Sequence, residues 1–165
     1  MDLIIRAQGW ALWNGKRYRC ALGPSGIRRD KREGDGATPA GRFPFRRLLY
    51  RADRLQLPLT QLSAAAIDPA DGWCDDPAAP SYNCAVKVPC TASHERLWRE
   101  DHVYDLILII GHNDAPVVPG HGSAVFIHVA HPDYRPTSGC VALAQVDLRE
   151  ILAGASARDC AVIES

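Results

Sequence analysis

Apolar residues in this chain occur in short runs rather than in long helical periods. The runs from Tyr104 to Gly111 and from Ala124 to Val129 are rich in Val, Ile and Leu, which is typical of buried central strands. Leu3 to Ala7 and Ala161 to Ile163 predict two further strands. Glycine (13 residues) and proline (12 residues) are spread between these runs. The pattern predicts a mainly β fold, with a sandwich or closed-sheet core and a few short helices.

Turn residues add a hairpin to this prediction. Asn14-Gly15 separates Trp10–Trp13 from Lys16–Leu22, and this dipeptide suits the two positive φ angles of a type I′ turn. Arg42 to Tyr50 and Cys84 to Val88 are also strand-like.

Two polar segments rich in Gly or Pro, Gly23 to Gly41 and Asp68 to Asn83, predict long loops. The run from Arg28 to Glu33 in the first of them alternates in charge, and a solvated surface is expected there.

Helical signals are few. Ala144 to Leu152 predicts a helix with Val146, Leu148, Ile151 and Leu152 on one face. Ser93-His94-Glu95-Arg96 resembles a capped helix start that continues through Trp98, and Arg51 to Leu57 suits a short helix or turn. No internal repeat or linker is evident, so residues 1–165 are predicted to form a single domain.

Composition and charge exclude several classes of function. The 19 Lys and Arg balance the 19 Asp and Glu, so the chain lacks the positive field that nucleic acids or anionic membranes attract. No apolar run is long enough for a membrane span, and the first six residues do not resemble a secretory signal.

The six cysteines form no CxxC motif, so no metal is expected, although Cys90 and His94 have ligand-like spacing. Cys84 and Cys90 are a conceivable disulfide pair in an oxidising compartment.

One Cys and one His stand at the edges of predicted core elements. His128 lies near the end of the strand Ala124–Val129, and Cys140 follows Gly139 twelve residues later. A nearby imidazole that takes the thiol proton populates the nucleophilic thiolate near neutral pH. Amides in a glycine-containing turn stabilise an oxyanion. The pair suits acyl transfer, but on spacing alone a buried spacer Cys and a satisfied core His are the favoured explanation. His131 is a rival base in the following loop.

The stretch GSAVFIHVAHPDYRPTSGCVAL from Gly122 to Leu143 resembles the catalytic segment of L,D-transpeptidases of the YkuD type. In that family a strand ends in Ile-His, and a later Ser/Thr-x-Gly-Cys carries the nucleophile. Lys31 to Phe43 (KREGDGATPAGRF) is similar to a Gly-Thr-Pro-x-Gly segment of the same family. The resemblance implies a YkuD-like β-sandwich or closed-sheet domain.

The resemblance also implies roles for individual residues. Cys140 would be the nucleophile and His128 the base, with the backbone carbonyl of Val129 orienting the imidazole. The oxyanion turn would contain Thr137, Ser138 and Gly139, and Thr137 is expected to hold the turn rather than to react.

Three departures mark a distant branch of that family. Ser138 stands where many members have His, and Ala142 stands where many have Arg. Only eight residues separate His128 from Thr137, fewer than in most members. Arg135 or Arg149 is therefore a candidate for binding a substrate carboxylate. The other candidate substrate-binding residues are Tyr134, His112, Asn113 and Trp73, whereas His121 and Tyr104 have ordinary loop and core explanations.

The implied reaction is a two-step transfer on peptidoglycan without a metal or organic cofactor. A donor stem peptide would acylate the Cys at an L,D bond, and an amine of an acceptor stem would then form a 3-3 or 1-3 cross-link. The alternatives are an L,D-carboxypeptidase or amidase that hydrolyses the same acyl-enzyme, and a non-catalytic wall-binding or metal-binding module. A monomer is expected. The reaction implies the periplasm or cell envelope, and the cytoplasm stays open because no leader is visible.

Overall fold

A computed structural model covering residues 1–165 contains fourteen strands and one helix. Their bounds in chain order are β1 Asp2–Arg6, β2 Trp10–Trp13, β3 Lys16–Ala21, β4 Ile27–Arg28, β5 Thr38–Pro39, β6 Gly41–Tyr50, β7 Ala64–Ala66, β8 Asp71–Cys74, β9 Ala85–Lys87, β10 His94–Arg96, β11 Leu106–Ile110, β12 Phe126–Val129, β13 Val141–Leu143, α1 Gln145–Gly154 and β14 Cys160–Glu164.

The main sheet closes on itself into a barrel. Its strand order is β11-β12-β13-β3-β2-β1-β14-β6-β7, and an additional antiparallel pairing of β11 with β6 completes the ring and leaves β7 outside it. Most neighbours are antiparallel, whereas β1–β14 and β12–β13 are parallel pairs within the ring. The predicted β-rich, closed-sheet fold is confirmed.

A second, three-stranded sheet with the order β10-β8-β9 accompanies the barrel. The apolar residues form two clusters. One fills the barrel and includes Leu3, Leu108, Ile127 and Val141. The other contains Trp73 of β8, Ile107 and Ile109 of β11, Phe126 of β12, and Cys140. Because successive residues of a strand point to opposite faces, β11 and β12 contribute to both clusters.

The predicted hairpin is confirmed, since β2 pairs antiparallel with β3. Asn14 and Gly15 both have positive φ, 48° and 76°, as a type I′ turn requires. The other predicted strands are also present with ends shifted by a few residues, and every residue of β11 and β12 is buried.

The region between residues 68 and 98 differs from its prediction. Asp71–Cys74, placed in the predicted loop Asp68–Asn83, forms β8. The predicted helix start at Ser93 is wrong, because His94–Arg96 forms β10 and pairs antiparallel with β8. A three-residue strand carries almost no local signal, and its pairing with a distant segment outweighs helix propensity.

Helix α1 is confirmed, with Leu148, Ile151 and Leu152 buried. Val146 was predicted on the same face but is 71% exposed. Val146 precedes Leu148 by two residues, and that spacing places it about 200° around the helix axis. Arg51 to Leu57 forms turns. No helix is long and apolar enough to cross a membrane. The single-domain organisation stays a prediction.

Candidate active site

Two neighbouring parallel strands bring the predicted nucleophile and base together. In the β12–β13 register His128 lies beside Ala142, and Cys140 directly precedes β13. Cys140 and Ala142 are two residues apart and therefore point to the same face of the sheet as His128. Diagonal neighbours on one face are about 7–8 Å apart, within reach of long side chains. Both side chains line one cavity of about 480 Å³.

Because β12 and β13 are parallel, the segment between them runs back along the sheet to the start of β13. Hydrogen bonds of Thr137 hold the last residues of this segment in a turn. The Thr137 amide donates to the Leu22 carbonyl (3.1 Å). Its hydroxyl donates to the Cys140 carbonyl (2.7 Å) and accepts from the Gly139 amide (3.1 Å). The Gly139 amide is thus engaged within the turn, whereas the amides of Ser138 and Cys140 donate to no other protein group. These two amides are the donors left for an oxyanion.

Gly139 is required where the turn packs against the loop before β5, which contains Ala37. Its φ is 134°, and a Cβ at this position would lie 2.7 Å from the Ala37 carbonyl oxygen. Any side chain would push the turn, and Cys140 with it, away from the loop that contains Ala37.

The Cys140 thiol is buried and held by backbone groups. Its Sγ donates to the Ala124 carbonyl (3.1 Å) and accepts from the Phe126 amide (3.3 Å). Burial, with a smaller contribution from the Glu95 charge, raises the pKa of Cys140 to about 12, although the Phe126 amide and Lys31 oppose this shift. The resting group is therefore a neutral thiol.

The His128 imidazole is also buried and neutral. Its Nδ1 lies 2.9 Å from the Val129 carbonyl oxygen, which only accepts hydrogen bonds, so Nδ1 carries the proton and Nε2 is the free acceptor. Tyr104 packs edge-on against the ring with centroids 5.3 Å apart. Burial lowers the pKa of His128 to about 4, although the Val129 carbonyl opposes this shift. The expectation of a thiolate at neutral pH is corrected, because burial disfavours both charged forms.

Charged groups of both signs, together with the imidazole of His131, line the cavity around this pair. The acidic ones are Glu33, Asp75 and Glu95, and the basic ones are Lys31, Arg99 and Arg135. Burial raises the pKa of Glu95, which accepts a hydrogen bond from the Tyr104 hydroxyl. One carboxylate oxygen of Asp75 is buried without a hydrogen-bond partner.

Three of the predicted substrate-binding residues lie on two elements: Trp73 lies in β8, and Tyr134 and Arg135 lie in the loop after β12. Arg135 lines the cavity, and its guanidinium lies 2.8 Å from Nδ1 of His131. Tyr134 does not line it and instead packs under the Arg19 guanidinium, 4.2 Å from the ring centroid. Trp73 does not line the cavity either, because the residue is 8% exposed and its ring packs edge-on against Phe126 in the core. Arg149 lies on α1 and is not part of the cavity wall.

His112 and Asn113 also lie outside the cavity, contrary to prediction. They border a separate polar cavity of about 270 Å³. Their backbone carbonyls accept from the side-chain amide of Asn83 at 3.0 and 2.8 Å. The Asn83 carbonyl oxygen accepts from the Trp73 indole (3.0 Å) and from the Ala124 amide (3.1 Å). The residues around Asn83 thus support Ala124, the partner of the thiol, rather than a substrate.

Sequence reasoning missed several cavity residues. Glu95 and Arg99 lie in and after the segment predicted as a helix, and Lys31 and Glu33 lie in the charge run predicted as solvated surface. The adjacency of Lys31 to the family-like Gly-Thr-Pro segment was the one signal that pointed to it. All six cysteines are free thiols, so Cys84 and Cys90 are not paired. No group of three or more His, Cys, Asp or Glu side chains is arranged to hold a metal ion.

Comparison with known proteins gives one match. The YkuD family model, described as the L,D-transpeptidase catalytic domain, matches residues 7–163. No curated protein and no solved structure matches the chain significantly.

Proposed function

Because the chain belongs to the YkuD family of L,D-transpeptidase catalytic domains, we propose that it transfers acyl groups between peptidoglycan stem peptides through a thioester on Cys140. The observation that carries the proposal is the shared face of β12 and β13, which directs Cys140 and His128 into one cavity. The proposed substrate places its action at the cell envelope.

In the first step, Nε2 of His128 accepts the Cys140 proton while Sγ bonds to the carbonyl carbon of the L-residue. The amides of Ser138 and Cys140 stabilise the resulting oxyanion. When the tetrahedral intermediate collapses, the C–N bond to the D-residue breaks, and His128 returns the proton to the leaving amine. A thioester remains on Cys140.

In the second step, an amine of an acceptor stem attacks the thioester carbon. His128 takes a proton from this amine, and the C–S bond breaks as the new amide forms. The Cys140 sulfur recovers the proton from His128, so the enzyme returns to its neutral resting state. Each residue ends in its initial protonation state, and the reaction needs no cofactor.

The charges of the cavity suit a stem peptide. Such a peptide carries carboxylates and, on its diamino acid, an ammonium group. The cavity offers cations of Lys31, Arg99 and Arg135 beside carboxylates of Glu33 and Glu95. We infer that the carboxylates of the stem contact basic residues of the cavity, with Arg135 as one contact.

The test is mass spectrometry of muropeptides incubated with the protein and with Cys140→Ala. The proposal predicts a Cys140-dependent dimer with loss of a D-amino acid or a D-terminal fragment, and fragmentation identifies a 3-3 or 1-3 cross-link. Cys140-dependent shortening without dimers would instead identify an L,D-carboxypeptidase or amidase. Unchanged muropeptides that nevertheless bind the protein would favour a non-catalytic wall-binding module.

A further inference from the structure

Lys31 is a buried cation in a segment whose charge pattern predicts solvated surface. Its side chain is 7% exposed, whereas those of Lys16 and Lys87 are 57% and 67% exposed. Its neighbours Asp30 and Arg32 are exposed, as predicted. Removing an ammonium group from water is costly unless other groups compensate it, so the burial of Lys31 alone in this run requires an explanation.

The loop after Lys31 holds its ammonium group in place. Nζ donates to the Arg32 carbonyl (2.8 Å) and forms an ion pair with Asp35. Asp35 is itself fixed by the amides of Arg32 (2.8 Å) and Ala37 (2.9 Å). An ammonium group has three N–H donors, so one remains beyond these two acceptors.

Two glycines, Gly139 in the turn before Cys140 and Gly122 before β12, make room for this side chain. A Cβ on Gly122, which precedes β12, would lie 3.1 Å from Cγ of Lys31. A Cβ on Gly139 would lie 3.6 Å from Nζ. The lysine stem therefore passes Gly122, and its charge lies against the residue that precedes the nucleophile.

Charged and titratable groups face Cys140 from several elements. Lys31 approaches from the loop before β5, Glu95 from β10, Tyr104 from the residues before β11, and His128 from β12. Of these groups Lys31 is the cation at rest, because His128 is neutral and Tyr104 carries no positive charge. Arg99 and Arg135 also line the cavity, but the first is paired with Asp101 and the second lies beside His131. Negative charge arises near Gly139 and Cys140 when the thiol loses its proton and when an oxyanion forms. A fixed charge in a water-poor site stabilises such developing charge without reorganisation.

We propose that Lys31 stabilises the negative charge that develops on the Cys140 sulfur and in the adjacent turn, and thereby sets the reactivity of the nucleophile. The inference rests on the proposed function for its catalytic meaning. Its effect on the thiol is measurable without any peptidoglycan substrate.

The experiment measures alkylation of Cys140 by iodoacetamide, resolved by peptide mass spectrometry, between pH 6 and pH 10. Lys31→Met keeps the stem and removes the charge, and Lys31→Arg keeps the charge. We expect alkylation about tenfold slower in K31M, with its pH profile displaced to higher pH, and within about threefold of wild type in K31R. Lys16→Met, which removes an exposed lysine paired with Glu150, is the matched control and should not change the rate.

Asp35→Asn should change the alkylation rate of Cys140 in the opposite direction, and it replaces K31M as the test if K31M fails to fold. It keeps an acceptor oxygen but no longer offsets the ammonium charge, so we expect faster alkylation of Cys140. A purely structural role of the Lys31–Asp35 pair would not make the two variants move in opposite directions.

Wild-type alkylation rates and pH profiles in folded K31M would overturn the inference, whatever the protein does to muropeptides. Conversely, slower alkylation in K31M together with unchanged muropeptides would support the role of Lys31 and contradict the proposed function. If the role of Lys31 and the proposed function are both correct, K31M should lower mainly the kcat of muropeptide turnover, because the charge acts on the reacting atoms.

Discussion

At the scale of single residues, the candidate nucleophile and base are both buried in their neutral forms. The Cys140 thiol donates to the Ala124 carbonyl, and the His128 Nδ1–H donates to the Val129 carbonyl. Proton transfer from sulfur to Nε2 would thus accompany attack on the substrate rather than precede it. In the proposed mechanism, the nucleophile would be protected at rest and would become reactive when a bound carbonyl group accepts the charge.

The first prediction concerns this resting state. In the wild-type protein, iodoacetamide should modify Cys140 more slowly than the exposed Cys84 at pH 7. The rate at Cys140 should keep rising up to pH 10, because burial raises the pKa of Cys140 to about 12. Peptide mass spectrometry measures both sites in one sample. A plateau of the Cys140 rate below pH 8 would instead indicate a preformed thiolate–imidazolium pair.

The second prediction concerns stability. Burial lowers the pKa of His128 to about 4, whereas an unfolded His titrates near 6.5. Below pH 6.5 the unfolded chain gains a proton that the folded chain does not bind, so the free energy of unfolding falls as the pH falls towards 4. The His128 contribution lost between pH 7 and pH 5 is about 2 kcal/mol.

Urea unfolding of wild type and His128→Gln at both pH values measures this contribution. The variant should lose less stability than wild type on acidification, and carboxylates that titrate in both proteins cancel in the difference. Equal losses in the two proteins would contradict a buried, neutral His128.

At the scale of elements, the parallel pairing of β12 with β13 decides the geometry of the site. The pairing requires a crossover, and this crossover ends in the Thr137–Cys140 turn that presents the nucleophile. A short active-site loop is therefore compatible with the arrangement, because the register of the strands, not the loop length, aligns Cys140 with His128.

The third prediction tests this turn. Gly139→Ala should reduce muropeptide turnover by about 100-fold or more, because the new Cβ would lie 2.7 Å from the Ala37 carbonyl oxygen and displace Cys140. Gly120→Ala is the matched control, since Gly120 also has positive φ (81°) but nothing within 4 Å of a Cβ. G120A should retain turnover within about threefold. Similar losses in the two variants would mean that backbone strain, rather than displacement of the turn, controls activity.

At the scale of the whole molecule, closure of the barrel supports the site from the opposite side of the sheet. Ile163 of β14 and Val141 beside the nucleophile belong to the same apolar cluster. The outer cluster, which contains Cys140, shares β11 and β12 with it. We therefore expect the barrel and the outer cluster to unfold together in one cooperative transition.

The fourth prediction tests this unit. Ile163→Ala should lower the free energy of unfolding by about 3 kcal/mol, because Ile163 is 2% exposed. The loss should be equal when measured by tryptophan fluorescence and by protection of Cys140 from alkylation. Val162→Ala, at a half-buried position of the same strand, should cost less than half as much. Protection of Cys140 that persists after the fluorescence transition would instead indicate two independently folding domains.

Local patterns were sufficient for most strands, for the Asn14-Gly15 hairpin and for the helix that buries Leu148 and Ile151. They predicted no strand at β4, β5, β7, β8, β10 or β13, and β4 and β5 lie within the predicted loop Gly23–Gly41. These six strands are two to four residues long and depend on pairing with other segments. The exposure of Val146 follows from helix geometry, which the apolar identity of the residue did not reveal.

Cys140 and His128 were identifiable from the sequence because the stretch from Gly122 to Leu143 resembles the catalytic segment of the YkuD family, whereas their spacing alone favours a buried Cys and a core His. Residues that only distant packing brings to the cavity, such as Glu95 and Asp75, were not identifiable in this way. Trp73, His112 and Asn113 were assigned to a substrate but serve the core and the Asn83 hydrogen bonds.

The sequence by itself determined the β-rich class and eight of the fourteen strands, because these depend on side-chain alternation and local turn motifs. Its resemblance to the YkuD family pointed to Cys140 and His128. Only the tertiary structure decided that the thiol and imidazole rest neutral and that Lys31 is buried beside Gly139. The physical reason is that burial and electrostatic fields are sums over residues far apart in sequence, and only the closed barrel and the β10-β8-β9 sheet bring those residues together.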